Sequence, residues 1–184
     1  MALTPSNMLP LGTIAPEFRL PDVISRQEIS MSDILNSNGL LVMFICNHCP
    51  YVKHVQKQIV EISLDYHHKE IGIVAISSND VDTYPEDSPE AMREEAKKWQ
   101  YSFPYLYDES QLVAKAYKAA CTPDFYLFNG KLELVYRGQL DDSRPGNEIP
   151  IDGKSLRGAM DDLIKGNPIS SEQTPSIGCN IKWK

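Results

Sequence analysis

Two apolar segments constrain this chain more than any other feature: residues 39–45 (GLLVMFI) and 71–77 (IGIVAIS). Each has strand length and no polar alternation, the pattern of a strand covered on both faces. Between them Tyr51, Val55, Ile59, Ile62 and Tyr66 recur at steps of three or four, so residues 50–67 form a helix with one apolar face. Pro50 suits the first helical turn, where its missing N–H leaves no bond unmade. Strand, helix and strand in this order imply parallel strands joined by a right-handed crossover.

The rest of the chain extends this unit. A loop over 12–21 leads into a short strand at 18–20, which residues 27–30 can pair with as a hairpin, and 32–35 make one helical turn. Ser88-Pro89-Glu90 opens a helix with a capping residue and a first-turn proline. A short strand at 105–107 follows. Asp108 then caps a helix running to about residue 119, with Gln111 placed to close a capping box. Strands at 125–128 and 132–137 meet at Asn129-Gly130, a favoured tight turn. A last helix over 153–165 stops at Gly166 and Pro168, and 167–184 reads as an irregular tail. The expected fold is α/β, a central mixed sheet flanked by helices. It is expected as a single domain over 1–184, with 1–38 as an N-terminal extension and 167–184 as a C-terminal tail.

Composition excludes several roles. The longest run of aliphatic and aromatic residues is 40–45, far short of the roughly 18 needed to span a bilayer. The net charge is −7 with Lys and Arg scattered, which argues against nucleic-acid or anionic-membrane partners. Residues 1–10 lack a basic stretch followed by an apolar one, so the simplest address is the cytoplasm. Four cysteines in 184 residues do not make a structural disulfide framework. In a reducing compartment, paired cysteines are catalytic, redox-sensing or metal-binding.

The pair in question is Cys46-Asn47-His48-Cys49-Pro50, between the first buried strand and the long helix. The N–H groups and partial positive charge of a helix N-terminus stabilise a thiolate. The spacing lets two sulfurs close a small ring, and His48 between them can add positive charge. The strand end is expected to leave the sulfurs open to substrate. Lowering a thiol pKa from about 8.5 to about 6.5 is worth roughly 2.7 kcal/mol, and its main effect is on leaving-group quality and redox poise. The competing reading is a zinc site, in which the pair supplies two of four ligands and Cys121, Cys179 or a histidine completes them. Cys121 and Cys179, which would have to complete it, are single and far apart in the sequence. Redox use needs no cofactor and no resident metal.

Cys121-Thr122-Pro123-Asp124-Phe125 lies just before a strand. With the cysteine pair, this segment resembles the thioredoxin superfamily, which follows its C-x-x-C with a cis-proline that opens a later strand. The resemblance implies that Thr122-Pro123 is cis and packs against Cys46 and Cys49, and that the backbone before Pro123 pairs with bound substrate. Residues 12–20 (GTIAPEFRL), 84–89 (YPEDSP), 139–147 (QLDDSRPGN) and 177–183 (IGCNIKW) resemble the peroxiredoxin-like, AhpC/TSA-like redoxin branch. This implies thiol–disulfide oxidoreduction on protein or small-molecule disulfides and thiols. Cys46 is the expected attacker by the thioredoxin pattern, Cys49 resolves, His48 tunes, and Thr122, Pro123 and Pro50 shape the site.

The peroxiredoxin pattern implies a different order. Cys49-Pro50 then matches the peroxidatic Cys-Pro pair and Cys49 attacks peroxide. However, Cys46 stands where that pattern has Thr, and only Arg137 lies near its Arg. A thiol peroxidase and a non-catalytic zinc- or partner-binding module are thus the alternatives. Cys121 reads as a third redox thiol or, more simply, a packing thiol. Cys179 reads as a resolving thiol on a flexible tail, or as a sulfur that packs while Ile177, Ile181 and Trp183 anchor the tail.

Overall fold

The computed structural model describes residues 3–184; residues 1–2 of the expected N-terminal extension lie outside them. The elements run, in order, β1 (Leu3–Pro5), β2 (Arg19–Pro21), β3 (Glu28–Ser30), α1 (Met31–Ile34), β4 (Gly39–Phe44), α2 (Pro50–Tyr66) and β5 (Ile71–Ser77). A 3-10 turn at Pro85–Asp87 precedes α3 (Pro89–Trp99). Then come β6 (Tyr105–Tyr107), α4 (Leu112–Ala116), β7 (Cys121–Thr122), β8 (Asp124–Asn129), β9 (Leu134–Gly138), α5 (Lys154–Lys165) and β10 (Ile177–Asn180).

The central sheet has the order β6-β5-β4-β8-β9. β4 pairs in parallel with β5 and antiparallel with β8, so the sheet is mixed, as expected. All six residues of β4 and all seven of β5 are buried. Successive side chains of a strand point to opposite faces, so β4 feeds two cores. Leu41 and Met43 pack with Val52, Val55, Ile59 and Ile62 of α2 and Leu156 and Met160 of α5. Leu40, Val42 and Phe44 pack with Phe18, Met31, Ala114 and Tyr117 on the other face. That double coverage is the reason no polar residue interrupts the strand, each fully buried Leu or Phe contributing roughly 1.5–3 kcal/mol.

Three local expectations are corrected. The Asn129-Gly130 turn is not a two-residue hairpin: β9 starts at Leu134, Leu132 has a positive φ of 63°, and Asn129 Oδ1 accepts from the N–H groups of Lys131 and Glu133. Gln111 closes no capping box. It is itself the N-cap of a shorter α4, and its amide donates to the carbonyls of Ser78 and Lys182. The tail is not irregular throughout. β10 pairs antiparallel with β1 on one side and with β7 on the other, Cys179 lying opposite Thr122. Ile181 is buried as an anchor, whereas Trp183 is 43% exposed, with Lys115 over its ring.

β10 approaches β7 unusually closely. A Cβ on Gly178 would lie 1.9 Å from the Thr122 carbonyl oxygen and 2.7 Å from its carbon, both backbone atoms that cannot swing aside. Gly178→Ala is therefore expected to push the two strands apart and cost about 1–3 kcal/mol in urea unfolding. It should also speed alkylation of the thiols beneath β10 in the folded protein. Unchanged stability and unchanged thiol reactivity would show that this close contact is not what seals them.

Candidate active site

The site forms where β4 runs out. After Phe44 the chain passes Ile45 and Cys46, turns at Asn47-His48, and enters α2 with Cys49 as N-cap and Pro50 in the first turn. The Thr122–Pro123 peptide is cis and faces this turn. Cys46 Sγ lies 3.2 Å from Thr122 Oγ1, and Cys49 Sγ lies 3.2 Å from the Thr122 carbonyl oxygen. The opposite side of Cys49 is met by Cys179, with 2.8 Å between the sulfurs. All four cysteines are reduced.

Exposure of the pair is not as expected: Cys46 is 1% and Cys49 0% exposed. Both belong to the core that lies between α2 and the sheet. β10 occupies the backbone edge before Pro123, so the expected substrate groove at Thr122 and Pro123 is filled by the chain itself. The thiol expected to be the exposed attacker, Cys46, is as covered as its partner.

The two sulfurs are nonetheless electrostatically different. The Cys46 thiol donates toward Cys49, and this holds the Cys49 thiol down, to about 5, against the upward push of burial. The Cys179 thiol and the backbone N–H groups of Val52 and Cys179 act in the same direction. The Val52 N–H is one of the unpaired donors of a helix first turn, so the sequence-derived placement at a helix N-terminus does matter. The same partnership raises Cys46 well above the ordinary thiol range, with burial and the charge of Asp87 adding to it. The thiolate of the pair is Cys49. Cys121 sits apart: its sulfur is 3.8 Å from the Pro123 carbonyl oxygen and burial pushes its thiol up, which fits a packing role.

His48 is held by a buried acid. Its Nδ1 lies 2.6 Å from Asp87 Oδ2, and its ring stacks on Tyr84 at 5.0 Å. Asp87 is fully buried and also accepts from the N–H groups of Asn47 and His48 at 2.8 and 3.2 Å and from Asn79 Nδ2 at 2.7 Å. Burial raises the Asp87 carboxyl, but the His48 and Asn79 hydrogen bonds outweigh it and leave the group below its ordinary value. Asp87 therefore fixes the turn between the cysteines, and with Nδ1 engaged the buried Nε2 of His48 has no hydrogen-bond partner. Among the described residues, Cys46, His48 and Asp87 also bring three ligand-type atoms within 4.8 Å of one another. In the sequence Asp87 was only part of the resembling segment 84–89; nothing local marks it as buried. His54 of α2 is half-buried beside Pro123, and its Nε2 is enclosed without a hydrogen-bond partner.

A strand, a two-cysteine turn at a helix N-terminus and a cis-proline strand facing it, on a mixed sheet flanked by helices, define a thioredoxin-like fold with thiols at its characteristic position. The chain belongs to the AhpC/TSA family, which matches residues 11–137. It is similar to an uncharacterised conserved protein of Geobacillus kaustophilus at 55% identity, covering 100% of this chain and 97% of that one, with a TM-score of 0.99. It is 46% identical to a hypothetical protein of Sinorhizobium meliloti, covering 98% of each chain, TM-score 0.96. A thiol-disulfide oxidoreductase of Bacteroides fragilis shares the fold at 21% identity, covering 82% of this chain and 99% of that one, TM-score 0.61. No curated protein matches. No helix among the described residues is long and apolar enough to cross a membrane.

Beside the cis-proline lies a second buried acid. Asp124 is fully buried, accepts from Ser6 and Tyr126 through Oδ2, and leaves Oδ1 without a partner. Burial pushes its carboxyl up to about 7, against those hydrogen bonds. In the unfolded chain it titrates near about 4. Between these values the native state holds a proton that the unfolded state has lost. Its contribution is thus fully present below about pH 4 and is lost as pH rises toward 7, by roughly 1 kcal/mol per unit. Asp124→Asn is expected to remove this slope, so that the variant gains on the natural protein between pH 5 and pH 8 in urea unfolding. Parallel curves would show that the native carboxyl is already ionised.

Proposed function

We propose that this protein is a thiol–disulfide oxidoreductase that cycles Cys46 and Cys49 between dithiol and disulfide, with Cys49 as the attacking thiolate. The observation that carries the reading is the placement of the pair: Cys46 and Cys49 stand at the α2 N-terminus against the cis Thr122–Pro123 peptide, where the Cys46 thiol and the Val52 N–H favour the Cys49 thiolate although the Thr122 carbonyl, at 3.2 Å, accepts from its thiol form. The substrates are protein or small-molecule disulfides. Cys49 Sγ attacks one sulfur of the substrate disulfide and forms a mixed disulfide. The other substrate sulfur leaves as a thiolate and takes a proton. Cys46 then loses its proton and attacks Cys49 Sγ. The Cys46–Cys49 bond forms, the second substrate sulfur leaves, and the substrate has gained two electrons and two protons.

A ring nitrogen of His48 lies within 4.8 Å of Cys46 Sγ, beyond a direct hydrogen bond, so the Asp87-held imidazole would take the Cys46 proton in that second step through one bridging water. Pro50 keeps the first turn of α2 in helical form, so that the Val52 N–H faces Cys49. Because Cys49 is covered, substrate reaches it only when Cys179 and β10 move aside. The peroxidase reading would need its arginine at the sulfur. The Arg137 side chain donates to the Leu9 carbonyl and to Gln173 instead. The zinc reading is disfavoured because the His48 and Asp87 donors already bond each other.

The test is stoichiometric thiol release from a chromogenic aromatic disulfide, followed from pH 4 to 8. Cys46→Ser is expected to release at least one equivalent. Cys49→Ser should lose release rate by about 100-fold or more, since the remaining thiols are poorly ionised. The natural protein's release rate should rise through about pH 5 and then level. Rapid release from Cys49→Ser sinks the assignment. Peroxide consumption by the natural protein far above that of a free thiol would transfer the site to the peroxidase reading.

A further inference from the structure

Among the described residues, Cys179 is a sulfur in contact with the redox pair that the cycle above does not use. It is not on a flexible tail. β10 fixes it from both sides, by pairing with β1 and β7, and the absence of a side chain at Gly178 lets the strand sit directly against Thr122. The result is a linear order of thiols. Cys49 interacts with Cys46 on one side and touches Cys179 at 2.8 Å on the other. Thr122 braces the arrangement, with its hydroxyl on Cys46, its carbonyl on Cys49 and its backbone opposite Cys179.

We propose that Cys179 is a third redox thiol, which exchanges into the oxidised pair to form a Cys49–Cys179 disulfide that ties β10 to the N-terminus of α2. The inference rests on the oxidoreductase reading, because it needs Cys49 in a disulfide first. The Cys179 thiol loses its proton, and its sulfur attacks Cys49 Sγ. The Cys49–Cys179 bond forms as the Cys46–Cys49 bond breaks. The electron pair leaves on Cys46, which takes up the proton. One disulfide is exchanged for another, and no outside oxidant or reductant is consumed. The same attack on a mixed disulfide at Cys49 releases the substrate sulfur directly, so Cys179 can resolve it when Cys46 is missing.

The surroundings time this step. In the reduced protein, burial, the hydrogen bond to Cys49 and the charge of Cys49 together push the Cys179 thiol up to about 12, with Lys182 opposing them. Once Cys49 is in a disulfide, its charge and its hydrogen-bond demand are gone. Burial still holds Cys179 toward its neutral form, while Lys182 favours the thiolate. The third thiol is thus quiet while Cys49 is ready to attack and becomes a nucleophile after Cys49 has reacted.

The experiment uses the full chain and the same chromogenic disulfide, with acid quenching, alkylation and peptide mass mapping. In the natural protein, both Cys46–Cys49 and Cys49–Cys179 linkages are expected, the second growing in after the first. Cys46→Ser should release two equivalents of dye thiol and end with a Cys49–Cys179 link. Cys46→Ser combined with Cys179→Ser should stop at one equivalent with dye still attached to Cys49. The proposal is overturned if the natural protein forms only Cys46–Cys49 while Cys179 stays alkylatable, or if Cys46→Ser stops at one equivalent. In either case the oxidoreductase reading stands. Failure of Cys49 to enter any disulfide overturns both. The linkages formed in the natural protein decide the matter by themselves, so a variant that folds poorly does not spare the idea.

Discussion

Two negative charges are buried at opposite ends of one short turn, and the site depends on how they are kept apart. A buried charge is tolerable only where donors face it. The Asp87 carboxylate takes the N–H groups of Asn47 and His48, the His48 ring and the Asn79 amide. The Cys49 thiolate takes the Val52 N–H and the two neighbouring thiols. Neither donor set is shared. Cys46 lies between the two charges and is pushed toward its neutral form by both. The different ionisation of two cysteines three positions apart thus follows first from the Cys46 thiol donating toward Cys49, and then from the Cys179 thiol and the N–H groups of Val52 and Cys179 that face Cys49 and not Cys46.

This arrangement explains why neither family pattern transfers unchanged. The thioredoxin pattern implies an exposed first cysteine with a low pKa, but here both cysteines are covered and the first is the one held protonated. The peroxiredoxin pattern implies the second cysteine as thiolate, in line with the lowered Cys49 thiol, but with a hydroxyl and a guanidinium to hold peroxide. Cys46 replaces the first of these, and Arg137 is engaged elsewhere. What remains is a peroxiredoxin-like thiolate with a thioredoxin-like partner thiol. That combination suits disulfide exchange, which needs a second sulfur more than it needs a peroxide clamp.

Much of the frame was legible in the sequence because it is local. The strands at 39–45 and 71–77 and the helix between them follow from burial on two faces and from a 3.6-residue stripe. The cysteine pair at the strand–helix junction follows from the same reading. Other features were hidden because their meaning is tertiary. Ile177–Asn180 is too short and mixed to announce a strand, and it becomes one only by pairing with β1 and β7. Asp87 is one of 25 acids, and only the fold shows that it is buried under His48. Gln111 sat where a capping box needs it, but the carbonyls of Ser78 and Lys182 compete for its amide, and a buried carbonyl left unpaired costs more than a cap is worth.

The closing of the site by β10 bears directly on its chemistry. Removing water from around a thiolate raises its energy unless protein dipoles replace the water, and β10 supplies such replacements through the Cys179 N–H and thiol. The strand that excludes substrate is therefore also part of what keeps Cys49 ionised. If β10 lifts, Cys49 gains access but loses two of its donors, and water must take their place. Access and ionisation are coupled through one short strand, whose position is set by the lack of a side chain at Gly178. In the proposed cycle, a thiolate kept under cover and opened by displacing a segment that itself carries a sulfur would meet an incoming disulfide in competition with its own chain.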